Sequence, residues 1–138
     1  MMLLSKFNMN GGIQKSKIDL IMSKYLRGDI VLANLEPTVG HEQQGVSRPC
    51  LIVSSNDVNS IVPIVILCPI SKSKPGRIRR YGVVTIPKND GGLEHDSDIL
   101  TTQIRTVGIS RIREVIGQIS QAHLVRVELS LKMVLDLD

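Results

Sequence analysis

The stretch Val62-Pro-Ile-Val-Ile-Leu-Cys68 is a continuous apolar run rich in β-branched residues, and it decides the fold class. Runs of this length, bounded by turn-forming residues, are typical of strands that are buried on both faces. Comparable runs stand earlier in the chain at 30–35 and 50–53, and later at 81–86 and 99–107. The sequence therefore predicts a mainly β protein built from short strands.

The segments around these runs predict how the strands are connected. Residues 54–60 are rich in turn formers, residues 109–115 indicate a short helical turn, and residues 116–119 indicate a short closing strand. Ser120 is a favourable N-cap, and apolar residues at helical spacing after it predict an amphipathic helix over 121–137. Short strands followed by one helix favour a small, highly curved antiparallel barrel with that helix packed against it.

The composition is that of one globular domain, with 138 residues, 42% hydrophobic and 22% charged. Its unusual feature is a shortage of aromatic residues, with no Trp, one Phe and two Tyr, beside a net charge of +4. A basic protein suggests nucleic acid as a partner, but modules that stack bases on a sheet need aromatic residues. We therefore expect any nucleic acid to be bound through charge and hydrogen bonds.

Cysteines and histidines argue against a metal site. Cys50 and Cys68 each lie within an apolar run and are predicted to be buried free thiols, as expected in a reducing cytoplasm. His41, His95 and His123 are far apart and lack the spacing of metal ligands, so no metal and no cofactor is predicted. No apolar run approaches the ~20 residues of a membrane span, and we expect a soluble, cytoplasmic protein.

The charge is unevenly distributed along the chain. Residues 71–88 hold six basic and no acidic residues, whereas residues 89–98 hold four acidic and no basic ones. Residues 1–26 are basic and lack a clear period, which predicts a mobile extension before a domain over 27–138. Met22 lies shortly before the first predicted strand, so a natural start at Met22 is an alternative.

The loop Pro37-Thr-Val-Gly-His-Glu-Gln-Gln-Gly-Val-Ser-Arg-Pro49 holds the candidate chemistry. Arg48, fixed at a strand start by the proline after it, offers a rigid fork of donors to a phosphate, and His41 offers an imidazole for proton transfer. Ser71 ends a strand, where its hydroxyl could hold a phosphate oxygen. From local features alone, Arg48 could equally pair with Glu36 or Glu42, and Ser71 could simply end its strand.

Several motifs occur in an order and at a spacing that resemble the MazF/PemK/Kid family of toxin endoribonucleases. The resemblance covers the chain from about Arg27 to Asp138. The matching motifs are Arg27-Gly-Asp-Ile-Val31, Leu35-Glu-Pro-Thr38, Gly40-His-Glu-Gln-Gln-Gly45, Arg48-Pro49, Pro69-Ile-Ser71 and Gln103-Ile-Arg-Thr106.

This resemblance implies an SH3-like barrel of the CcdB/PemK type, usually a homodimer, that cleaves single-stranded RNA without metal and is inhibited by a cognate antitoxin. The loop arginine and the strand-end hydroxyl of the family match Arg48 and Ser71, and the loop histidine of Kid-like members matches His41. We expect Arg48 to stabilise the phosphate and donate a proton. Where relatives often have an acid before the Gln of the last motif, this chain has Thr102, which moves the expected proton acceptor to His41.

Ten residues are predicted to contact the RNA around these three, and Tyr81 is the one candidate for stacking on a base. They are Glu42, Gln43, Lys72, Lys74, Arg77, Arg79, Arg80, Tyr81, Gln103 and Arg105. The five basic residues from Lys72 to Arg80 form the basic segment. The alternative for this segment is a solvated hairpin that does not contact RNA. For the whole protein, the alternatives are a non-enzymatic poison like CcdB, which binds DNA gyrase through its terminal helix, an inactive relative, and a plain SH3-like adaptor.

Overall fold

A computed structural model describes residues 25–74, 76 and 80–138. Most of the predicted extension over 1–26 lies outside the described residues, as do Arg77 and Arg79 of the basic segment. The strands are β1 (Asp29–Ala33), β2 (Arg48–Ile52), β3 (Ile64–Lys72), β4 (Val83–Ile86), β5 (Ser97–Leu100), β6 (Arg105–Gly108) and β7 (Ile112–Gln118). The helices are α1 (Asn56–Ile61) and α2 (Gln121–Leu135).

In the described part of the chain, seven strands form one antiparallel sheet in the order β4-β5-β3-β2-β1-β7, and β6 also pairs with β3. The central strand β3 is nine residues long and has three partners. Its first half pairs with β6 and its last residues pair with β5. Because β5 and β6 share β3 in this way, the sheet curls. The predicted mainly β fold with a C-terminal helix is confirmed.

Both faces of the sheet are covered by apolar side chains, which explains why the strands are continuous apolar runs. On one face, Ile30, Leu51 and Ile70 pack with Val127 of α2. On the other, alternate residues of the same strands form a second core that includes Val31, Cys50, Ile52, Val65 and Leu67. Because successive residues of a strand point to opposite faces, each apolar run serves both cores.

The predicted single strand over 99–107 is wrong, because a 3-10 turn over Thr101–Gln103 divides it into β5 and β6. Continuing the β3–β6 ladder past Leu67 would put Thr102 opposite Ile70, but Ile99 stands there instead. The three residues of the turn are therefore looped out of the ladder. The Thr101 hydroxyl fixes the turn by donating to the carbonyl of Gly82 at 2.7 Å.

Two further predictions about the connections are corrected. Most of the turn-rich segment 54–60 belongs to α1, whose first turn is capped by the Ser55 hydroxyl accepting from the amide of Val58 at 3.1 Å. The helical turn predicted over 109–115 covers only Ile109–Arg111, and β7 begins at Ile112 instead of residue 116. The strand is longer than its local pattern suggests because it pairs along all of β1.

The terminal helix α2 forms as predicted and ends two residues early, where Asp136 adopts a left-handed conformation with φ of 55°. The Ser120 side chain accepts from the amide of His123, which confirms the predicted N-cap. Leu124 and Val127 are the buried residues of the helix. Neither helix in the described ranges is long and apolar enough to cross a membrane.

Candidate functional site

The loop between β1 and β2, residues 34–47, is closed by its own hydrogen bonds and is called the polar loop below. The amide of Leu35 donates to the carbonyl of Gly45 at 2.8 Å, and the amide of Gly45 donates to the Glu36 carboxylate at 2.9 Å. Arg111 donates from outside the loop to the carbonyl of Asn34 at 3.2 Å and to that of Glu36. These contacts bind the two ends of the polar loop together and set the position from which β2 starts.

Arg48, the first residue of β2, is half-buried and bound to backbone carbonyls. Its Nε and Nη2 donate to the carbonyl of Gln44 at 3.0 and 2.9 Å, and its Nη1 lies 3.4 Å from the carbonyl of Ile70. Among the described residues, Arg48 forms no ion pair with Glu36 or Glu42, the alternative that the sequence left open. A guanidinium held by neutral carbonyls keeps its charge available for an anion.

Arg48 lines a groove of about 460 Å³, called the Arg48 groove below. Its apolar lining comes from Leu32, Pro49, Ile70, Leu93 and Ile116, and its charged or titratable lining from Arg48, Lys72, Glu94, His95 and Glu114. Such a volume is within the usual range for small-ligand sites. Ser71 is half-buried, lies between Ile70 and Lys72 on β3, and is paired with Asp98 of β5; its side chain is not part of this lining.

A second groove of about 710 Å³ lies between the polar loop and the 3-10 turn and is called the loop groove. The amide of Gln43 donates to the side-chain oxygen of Gln103 at 2.6 Å, and Arg105 reaches the carbonyl of Leu35 at 3.5 Å. The structure thus brings together five of the predicted site residues. They are His41, Glu42, Gln43, Gln103 and Arg105, and Thr102 lies beside them.

The remaining predicted RNA contacts lie elsewhere. Lys72 lines the Arg48 groove and Lys74 is exposed. Arg80 and Tyr81 line a third groove of about 550 Å³ against α2, where the Tyr81 hydroxyl lies 3.4 Å from the carbonyl of Met133. The structure therefore places Tyr81 beside the terminal helix and not in either of the first two grooves.

Sequence reasoning missed the other three titratable residues that line the Arg48 groove, namely Glu94, His95 and Glu114. No local motif marks them, since an acidic or histidine residue in a polar segment is usually solvated. The only available signal was the position of His95 just before β5, which pairs with the end of β3.

The cysteines do not contribute a nucleophile. Cys50 and Cys68 are fully buried free thiols, as predicted. Burial raises the pKa of each thiol to about 12, so both are protonated at neutral pH. Within residues 25–74, 76 and 80–138, no three His, Cys, Asp or Glu side chains are grouped so that they could hold a metal ion.

Residues 26–135 match the family model described as PemK-like, MazF-like toxin of type II toxin-antitoxin system. Among solved structures, MazF from Deinococcus radiodurans is similar, with a TM-score of 0.69, 26% identity, and coverage of 82% of this chain and 97% of that one. An endoribonuclease from a Mycobacterial species has a TM-score of 0.66 at 21% identity, covering 84% of this chain and 95% of that one. An endoribonuclease in complex with its cognate antitoxin, also Mycobacterial, has a TM-score of 0.67 at 21% identity, covering 83% and 97%.

Proposed function

Since the chain belongs to the family of PemK-like, MazF-like toxins of type II toxin–antitoxin systems, we propose that it is a metal-independent endoribonuclease that cleaves single-stranded RNA. One observation carries the proposal. The Arg48 guanidinium is held by carbonyl oxygens at the edge of a groove that Lys72 also lines, so two cations are available to one phosphate. The similarity to proteins named as endoribonucleases supports it.

The chemistry requires little of the protein, because RNA contains its own nucleophile. The 2′-oxygen bonds to phosphorus while the bond from phosphorus to the 5′-oxygen breaks, which leaves a 2′,3′-cyclic phosphate and a 5′-hydroxyl end. Arg48 stabilises the charge that develops on the non-bridging oxygens and donates a proton to the departing 5′-oxygen. The phosphate contact that the sequence predicted for Ser71 is not assigned within the Arg48 groove, because the Ser71 side chain is not part of its lining.

The loop groove binds the nucleotides that flank the cut. Its side chains include amide, carboxylate, imidazole and guanidinium groups, which recognise base edges by hydrogen bonds in place of stacking. His41 contributes to positioning the RNA there. Lys74 and Arg80, with Arg77 and Arg79 of the same segment, add non-specific attraction for phosphates.

The basic side chains that attract phosphates also indicate the kind of partner that the protein would bind. A related endoribonuclease has been solved with its cognate antitoxin. For this chain we propose an antitoxin with an acidic, initially disordered segment. This segment binds the basic residues that line the grooves and thereby excludes RNA. We also propose that the toxin acts as a homodimer in the cytoplasm.

The test is incubation of the purified protein with a mixed RNA substrate in EDTA, followed by mapping of the cut ends. Cleavage at a short motif, with cyclic phosphate and 5′-hydroxyl ends, is expected. The Arg48→Ala protein, prepared in the same way, controls for contaminating nuclease. RNA left intact by the wild-type protein would overturn the proposal and favour a gyrase poison or an inactive relative.

A further inference from the structure

We propose that His95 is a catalytic residue of the Arg48 groove, where its imidazole takes the proton from the attacking 2′-hydroxyl. The inference rests on the proposed ribonuclease function and assigns to His95 the proton-accepting role that the sequence analysis expected of His41. His95 lines the groove that contains Arg48 and Lys72, whereas His41 lines the loop groove, whose lining does not include Arg48. A base must reach the proton that it removes, so the histidine in the groove of the phosphate-binding arginine is favoured.

Hydrogen bonds fix the backbone of His95 beside the end of β3. The Ser97 hydroxyl donates to the carbonyl of His95 at 2.7 Å, and Ser97 itself is paired with Lys72. The next residue, Asp96, accepts from the amide of Ser73 at 2.8 Å through its carbonyl. The backbone of His95 is therefore fixed relative to the strand that contains Ser71 and Lys72.

Close backbone packing holds the same connection against β7. A Cβ atom on Gly92 would lie 2.2 Å from the carbonyl oxygen of Ile116, and one on Gly117 would lie 2.4 Å from that of Gly91. Only glycine permits such an approach. As a result, the connection between β4 and β5 and the strand β7 line the Arg48 groove together.

The His95 imidazole is free to bind a substrate. Its side chain is exposed and, among the residues that the structure describes, forms no hydrogen bond or ion pair. His123 differs, because its Nδ1 contacts the Asp90 carboxylate and the Ser120 hydroxyl and so serves the start of α2. The charged groups that line the groove with His95 are Arg48 of β2, Lys72 of β3, Glu114 of β7 and its own neighbour Glu94.

The proposed step is balanced in atoms and charge. Neutral His95 accepts the proton of the 2′-hydroxyl as the 2′-oxygen bonds to phosphorus and the bond to the 5′-oxygen breaks. The 5′-oxygen leaves with a proton from Arg48, and imidazolium then releases its proton to solvent, from which Arg48 is protonated again. The phosphodiester has one negative charge before and after the step.

The experiment compares His95→Gln with the matched variant His41→Gln in single-turnover cleavage between about pH 5 and pH 8, the range in which the charge of an ordinary histidine changes. In the wild type, the rate should rise with pH, because only a neutral imidazole can accept the proton. His95→Gln should lower the rate on the order of 10²–10⁴-fold and remove that rise. His41→Gln should keep the rise, and free imidazole should partly restore cleavage by His95→Ala.

A binding measurement separates catalysis from binding. The probe is an oligonucleotide built around a mapped cut site, with deoxyribose at the cut position so that it cannot react. His95→Gln should bind it about as tightly as the wild type does. Equal losses in binding and rate, or a His95→Gln protein that cleaves with the wild-type pH profile, would overturn this inference alone. RNA left intact by the wild type would overturn the proposed function as well.

Discussion

The backbone amide of Gln43 donates a 2.6 Å hydrogen bond to the side-chain oxygen of Gln103, which joins the polar loop to a turn 60 positions later in the chain. Gln103 ends the three residues that are looped out between β5 and β6. The interruption of that strand is therefore linked to the site, because it brings a side-chain acceptor to the polar loop.

Replacement of Gln103 by Ala should release the polar loop at Gln43. We expect cleavage to fall by up to about 10²-fold through lost positioning, with a stability cost of only about 1 kcal/mol for one hydrogen bond. Hydrogen exchange at the Gln43 amide should accelerate at the same time. Gln103→Glu, which keeps an oxygen acceptor, is the matched control; an unchanged exchange rate in Gln103→Ala would show that the bond does not hold the loop.

Replacement of Arg48 by Ala should lower cleavage on the order of 10²–10³-fold, the usual loss for one donor to a transition-state oxyanion. Arg48→Lys keeps the charge but loses the two-pronged contact with the Gln44 carbonyl, so most of the activity should still be lost. Thermal unfolding of each variant serves as the control for folding. Wild-type rates in Arg48→Ala would exclude Arg48 from the chemistry.

Neutralising the basic segment should change how RNA binding depends on salt. If Lys72, Lys74, Arg77, Arg79 and Arg80 contact phosphates, each replacement by Ala should reduce the slope of log affinity against log salt by about 0.7. Titrations of a labelled single-stranded RNA at several salt concentrations would measure this slope. Arg113→Ala on β7, an exposed cation outside the three grooves, is the control. An unchanged slope would mean that the segment is a solvated hairpin.

The stability that Asp90 contributes at the start of α2 should decrease at acid pH. Burial by itself would raise the pKa of this carboxyl, but hydrogen bonds from Ser120 and His123 outweigh burial and hold the pKa below its usual value of 3.8. Its stabilising contribution is therefore complete above about pH 4 and is lost as the pH falls through the lower folded-state pKa. Asp90→Asn should cost about 1–2 kcal/mol near neutral pH and progressively less below pH 3.8.

Urea unfolding at neutral and strongly acidic pH would measure this difference. Asp57→Asn removes an exposed carboxylate in the first turn of α1 and is the control. A stability gap between wild type and Asp90→Asn that is the same at both pH values would contradict the assignment.

Local sequence patterns predicted the parts of the fold that depend on burial. The strands β1, β2 and β3 follow continuous apolar runs because both of their faces are covered. The helix α2 follows from Ser120 and the apolar spacing after it. These elements can be predicted from local sequence, because burial of one or both faces dictates which neighbouring positions are apolar. The short helix α1 has too few residues to show such a period, and it was missed.

Local sequence patterns likewise predicted only part of the candidate site. The motif around Gly40 to Arg48 predicted the polar loop and its arginine from the residues alone. The division of the predicted residues among three grooves, with Arg48 in one, His41 in another and Tyr81 in the third, was decided only by the tertiary structure. The physical reason is that strand register is a long-range property: β3 pairs with β2, β5 and β6, and this pairing, which no local pattern specifies, brings His95 to the groove of Arg48.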